Sequence, residues 1–266
     1  RFFYPNTDEG RQAYLDDSTN YINDLLERAP EFFSRLPNTP LEVRRVEAYR
    51  EQPGAPQHYS PGFADGSKPG TYYAHLIDMN SMPKSEMEAI AYHEGVPGHH
   101  FDWALTAENP DIPVFQSTHY IAFHSEGWAL YSELLSKEMG GYQNPYNDFG
   151  RLMTEMWRAI RLVVDTGLHH YGWTEAQAID YMLSNNPIAP GAAVAEIHRY
   201  QVIPGQATSY KIGMLKILEL REKARVALGE QFDIRGFHDA ILVQGALPAA
   251  LLERRVDLWI ESVKAR

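Results

Sequence analysis

Between Ile90 and Trp103 the chain reads IAYHEGVPGHHFDW, which sets His93 beside Glu94 and puts His99 and His100 six and seven residues after His93. Imidazoles bind divalent transition metals, and a carboxylate next to such an ion can take a proton from water. In the common zinc-hydrolase helix the two histidines stand four residues apart, with the glutamate directly after the first. On an undistorted helix at 100° per residue, His99 points about 120° away from His93 and His100 returns to about 20°. That spacing favours His100. Pro97, however, lacks the N–H for an internal bond and would clash with the carbonyl of His93. Gly95 and Gly98 ease a bulge, so periodicity leaves both histidines open. The plain alternative is a pair of surface histidines behind a helix stop.

A further carboxylate stands in YIAFHSEGWALYSELL. There Glu126 has Ala122, Phe123, Ala129 and Leu130 as helical neighbours, an apolar stripe where it stays ionised only beside a cation or strong hydrogen bonds. Zinc supplies such a cation. His93, one of the paired histidines and Glu126 would be its three protein ligands, with a coordination position left for water. An ion pair from Glu126 to Arg158 or Arg199 is the competing explanation. Glu133, two turns later, either supports a ligand or faces solvent.

These residues need a rigid helical frame, and the apolar pattern provides one. Residues 11–35 carry a helical recurrence interrupted at Pro30, read as two short helices. LEVRRVEAYR and GTYYAHLIDM alternate near a period of two, with a Pro- and Gly-rich stretch between them and a short strand expected at 57–59. A small sheet is therefore expected over 41–79. Ser85 as N-cap and Glu88 three residues on predict a capped helix over 86–95. Further helices are expected at 121–139, 148–168, 174–183, 192–200, 207–228 and 237–263, the last divided near Gly245 to Pro248. The fold class is mainly α with a small β-sheet, read as a single domain over 1–266 whose helical region covers 85–266.

The 266 residues are 44% apolar, enough for a substantial core. With 24 basic and 35 acidic side chains the formal charge is −11, which argues against nucleic acid or an anionic membrane as partner. Cysteine is absent, so any metal is held by histidine and carboxylate. No apolar run approaches the roughly 20 residues that span a bilayer. The opening RFFYPNTDEG has neither a methionine nor a signal-like segment and reads as a processed chain or a fragment. The compartment stays open, periplasmic or secreted if the full-length protein carries a signal.

Together, YHEGVPGHH, HSEGWALYSELL and RYQVIPGQATSYKIGMLKI resemble a bacterial family long labelled domain of unknown function 885, and the match runs through most of residues 41–220. Its members look like zinc metallopeptidases of the gluzincin group. The resemblance implies a helical catalytic region in which His93, His99 and Glu126 bind Zn(2+), with His100 the alternative to His99. It makes Glu94 the general base and Tyr210 the donor to the tetrahedral oxygen. Arg199 or Lys211 would bind a substrate carboxylate, His198 would be a reserve oxyanion donor, and His124 would support a ligand. Family proteins are usually longer, so the chain reads as the C-terminal catalytic part of a longer polypeptide.

The expected reaction is hydrolysis of a peptide substrate by metal-activated water, with Glu94 carrying a proton from water to the leaving amine. A zinc amidohydrolase acting on a non-peptide amide, or a metal-stabilised protein-interaction module, is the alternative. Ser125 could contact a histidine but sits beside the proposed glutamate ligand. Neither a Walker-A loop nor a GxSxG elbow occurs.

Overall fold

The computed structural model describes residues 2–52 and 55–266. Helix α1 spans Asp8–Arg28 and begins where the Thr7 hydroxyl accepts the N–H of Gly10 at 3.2 Å. Tyr14, Ser18, Ile22 and Leu25 form its buried face. The two short helices expected here are instead one helix of 21 residues. Pro30 lies in a 3-10 turn over Ala29–Glu31, after the helix has ended, so the apolar face runs unbroken up to it.

Three strands follow: β1 (Leu41–Arg45), β2 (His58–Ser60) and β3 (Gly70–Ala74), in the order β1-β3-β2. β1 runs parallel and β2 antiparallel to the central β3. The expected small sheet is thus present, with β2, an edge strand, one residue further on than read from the sequence.

Helix α2 covers Lys84–Glu94 and follows Pro83, with no side-chain cap. The expected Ser85 capping box does not form. Glu88 is buried and accepts instead from the Tyr92 hydroxyl, the Tyr142 N–H and the Asn147 amide. Two elements had no expectation attached: α3 (His99–Glu108) and the single turn α4 (Val114–Ser117).

The remaining helices are α5 (Ala122–Glu138), α6 (Pro145–His169), α7 (Glu175–Asn185), α8 (Pro190–Val202), α9 (Gln206–Leu228), α10 (Ile234–Leu242) and α11 (Ala249–Lys264). The expected break in the last pair falls between α10 and α11. Thr174 and Gln177 close a reciprocal capping box on α7. No described helix is long and apolar enough to cross a membrane.

The main core joins α1, α2, α5, α9 and the last two helices around residues such as Tyr14, Phe101, Trp128 and Leu220, while a second cluster lies between α6, α7, α8 and the start of α9. Helices α5 and α9 cross at Gly127 and Gly213, where a Cβ on either glycine would lie 2.5 Å from the other's Cα. Any side chain there would push Glu126 and Tyr210, one on each helix, apart.

His238 sits in the main core, stacked on Phe33. Its Nδ1–H donates to the Phe32 carbonyl at 2.8 Å, so Nε2 accepts from the Tyr131 hydroxyl at 2.9 Å. Burial pushes its pKa down to about 3. The unfolded chain takes up a proton near pH 6.5 that the folded one refuses, so this group's stabilisation is lost as pH falls from 6.5 toward 3. His238→Asn keeps a donor for Phe32 without titrating. The fall in unfolding free energy between pH 7 and pH 5 should therefore be about 2 kcal/mol smaller in the variant. Urea melts at the two pH values measure it, and equal falls in both proteins contradict the assignment.

Candidate metal centre

His93 and Glu94 are the last two residues of α2, and His99 is the first of α3. The chain folds back between them through Gly95 to Gly98, and the Val96–Pro97 peptide is cis. Gly98 donates its N–H to the Tyr92 carbonyl at 3.0 Å. A Cβ on Gly98 would lie 2.0 Å from the His93 carbonyl oxygen, so only glycine allows this approach.

The fold-back sets the His93 and His99 rings 4.9 Å apart and nearly perpendicular. The unbroken helix that would have favoured His100 does not exist. His100 turns away, its Nδ1 lying 3.0 Å from the Tyr59 hydroxyl, and burial pushes its pKa down to about 4.

Glu126 comes in from α5. Its Oε2 lies 3.6 Å from His93 Nε2 and 3.4 Å from His99 Nε2. These separations are long for hydrogen bonds, but they match the edges of a tetrahedron whose bonds to a central ion are ~2.0–2.1 Å, roughly 3.3–3.4 Å. All three side chains are buried, and their donor atoms lie within 4.8 Å of one another. Oε2 of Glu126 has no hydrogen-bond partner among the described residues, whereas Oε1 accepts from the Tyr120 hydroxyl at 2.6 Å and the Gln206 amide at 3.1 Å. The residues therefore fit a divalent ion with histidine and carboxylate ligands.

The electrostatics favour a cation here as well. Burial opposes ionisation of Glu126, yet the imidazoles of His93 and His99 outweigh it and hold the carboxyl well below the usual range. Burial likewise opposes charge on His93, and Glu126 and Glu133 overcome it, pushing the imidazole up to about 9. The proton that His93 holds is the charge a metal would displace.

Glu133, on the next two turns of α5, supports the far side of His93. It accepts from His93 Nδ1 at 2.8 Å and from the Thr154 hydroxyl at 2.8 Å, with Arg158 3.4 Å away. Arg158 therefore pairs with Glu133 rather than with Glu126. With one proton fixed on Nδ1 by Glu133, Nε2, which faces Glu126, is the nitrogen that would give up its proton to a metal. Glu133→Gln keeps an acceptor but removes the charge, and is expected to weaken zinc binding by about tenfold or more. Competition with a chromogenic chelator measures it, and an unchanged affinity contradicts the role.

The triangle lies in the wall of a cleft of about 800 Å³, which Glu94, Trp103, Tyr210 and Arg199 also line. Glu94 Oε2 is buried and has no hydrogen-bond partner among the described residues. Tyr210 lies nearly parallel to the His93 ring at 6.0 Å. Its oxygen accepts from Arg199 at 3.2 Å and Gln206 at 3.0 Å, which leaves its own O–H free to donate. Burial raises its pKa, although Arg161 and Arg199 oppose this, so it is a neutral phenol.

Three other sequence candidates fall elsewhere. His198 is exposed and meets Glu175 at 3.1 Å. Lys211 pairs with Glu155 at 2.5 Å. His124 is buried with Nε2 3.5 Å from Asp102, which also accepts the Ser125 hydroxyl at 2.8 Å, so both residues tie α5 to α3. Tyr120 and Gln206 were not anticipated. Gln206 precedes Tyr210 by one helical turn and shares its face, a signal that could have found it. Tyr120 lies before α5, where no periodicity points to it.

No curated protein sequence matches this chain. Solved structures similar to this chain include two that are each called a "putative lipoprotein". The one from Colwellia psychrerythraea is 44% identical with a TM-score of 0.95, over 98% of this chain and 45% of that one. The one from Shewanella oneidensis, described as of unknown function, is 24% identical with a TM-score of 0.74, over 91% of this chain and 45% of that one, a likeness of fold. This chain thus spans less than half the length of either. The family model for the bacterial protein of unknown function DUF885 matches residues 1–256, and the chain belongs to that family.

Proposed function

We propose that the chain is the catalytic region of a gluzincin-like, zinc-dependent peptide hydrolase. The observation that carries this reading is the buried triangle of His93 Nε2, His99 Nε2 and Glu126 Oε2, with edges of 3.4 and 3.6 Å, beside Glu94, whose buried Oε2 has no hydrogen-bond partner among the described residues. When bound, zinc supplies Lewis acidity, polarising a carbonyl and making a water molecule a stronger acid near neutral pH.

The protein's own groups do the rest. Glu94 accepts a proton as the water oxygen adds to the amide carbon. Tyr210 donates its O–H to the carbonyl oxygen as negative charge develops there. Glu94 then passes the proton to the amide nitrogen as the C–N bond breaks, leaving a carboxylic acid and an amine. Gln206 and Arg199 hold the Tyr210 oxygen by donating to it, so its proton points away from both. We extend to this chain the envelope placement that the lipoprotein names of its relatives carry, with extracytoplasmic peptides as substrates.

The test exposes a diverse peptide mixture to the zinc-loaded full-length protein and reads new termini by mass spectrometry. Cleavage is expected from the zinc-loaded protein and not from chelated or Glu94→Gln protein. A zinc-loaded protein that cuts none of a broad set, and binds a partner protein equally well after Glu94→Gln, would instead be an interaction module.

A further inference from the structure

Three guanidinium groups surround Tyr210. Arg161 lies over its ring with Cζ 4.4 Å from the centroid, Arg158 is 6.0 Å from the same point, and Arg199 donates to its oxygen. All three line the cleft.

Their carboxylate partners are fewer. Arg158 meets Glu133, which His93 already uses, while Arg161 and Arg199 share Glu196 at 2.9 and 3.4 Å. Arg161 Nη1 and Arg158 Nε are buried without a hydrogen-bond partner among the described residues. Glu86 also lines the cleft but feels Arg158 only through space, and burial pushes its carboxyl up to about 6.

Arg199 is the accessible member, its side chain 23% exposed against 9% for Arg158 and 4% for Arg161. Its Nη2 donates to Gln206 at 2.9 Å and to Tyr210 at 3.2 Å, while its Nη1 makes only the longer contacts of 3.4 and 3.5 Å to Glu196 among the described residues. A guanidinium with spare donors, backed by two more positive charges, matches a planar carboxylate in both charge and shape. Its bond to Tyr210 places that carboxylate close to the carbonyl under attack.

We propose that Arg199, with Arg158 and Arg161 behind it, binds a carboxylate of the substrate next to the bond that is cut. This proposal rests on the peptide hydrolase reading. The chemistry is shared by two sources, a free C-terminus, which would make the enzyme trim chains from their carboxyl end, and an acidic side chain.

The test uses one peptide in four forms: C-terminal acid or amide, each with Glu or Gln beside the scissile bond. The zinc-loaded full-length protein is expected to show at least a roughly tenfold higher kcat/KM for the form with the recognised carboxylate. An acid-over-amide preference identifies the terminus, and a Glu-over-Gln preference identifies the side chain. In Arg199→Gln protein that ratio is expected to collapse toward one. Any loss through Tyr210 acts on all four peptides and cancels in the ratio.

Binding of the same peptides to zinc-loaded Glu94→Gln protein, followed by calorimetry, needs no turnover. A carboxylate preference there supports the proposal even if hydrolysis fails, which separates it from the peptide hydrolase reading. Equal binding of all four forms, or a preference that survives Arg199→Gln, overturns it.

Discussion

Glu94→Gln protein is expected to keep its zinc and to lose peptide hydrolysis by about 10²–10⁴-fold. The residue follows His93 at the end of α2, and its buried Oε2 accepts no hydrogen bond from the described residues. Glutamine preserves the size of the side chain and one acceptor oxygen, so the wall of the cleft should hold its shape. What it cannot do is take a proton. The loss should therefore fall on kcat, with the affinity for peptide largely retained. Steady-state rates and elemental zinc analysis on the same sample check both halves. Retained hydrolysis would move the proton transfer to another group.

The second large effect separates the two adjacent histidines. His99→Ala, like His93→Ala and Glu126→Ala, should weaken zinc binding by more than about 100-fold, the upper end for an outer-shell partner. His100→Ala should not, because its ring faces Tyr59. Matched circular dichroism spectra ensure that folded proteins are compared. A larger loss from His100→Ala than from His99→Ala would contradict the geometry.

The composition of this centre was legible in the sequence, while its shape was not. His93 and Glu94 stood out as the His-Glu pair that opens a zinc-hydrolase helix, and Glu126 as a carboxylate among apolar helical neighbours. The choice between His99 and His100 could not come from helical arithmetic. It depends on the fold-back at Gly95 to Gly98, and that turn depends on how closely Gly98 approaches the carbonyls of Tyr92 and His93. The same turn starts α3, which no apolar repeat had marked.

Glu88 shows the opposite failure. A local capping signal pointed it at the start of α2, but partners at Tyr142 and Asn147, more than fifty residues away, captured the carboxylate. The second layer around the candidate ligands was equally hidden. Glu133 could be weighed as a support, whereas Thr154, Arg158 and Gln206 reach the site only because α6 and α9 pack against α5.

An anomalous difference map at the zinc edge, from crystals of the zinc-loaded full-length protein, tests the central claim most directly. The account predicts one strong peak inside the triangle of His93 Nε2, His99 Nε2 and Glu126 Oε2. A peak coordinated by His100 in place of His99, or zinc bound elsewhere while the triangle stays empty, would contradict it.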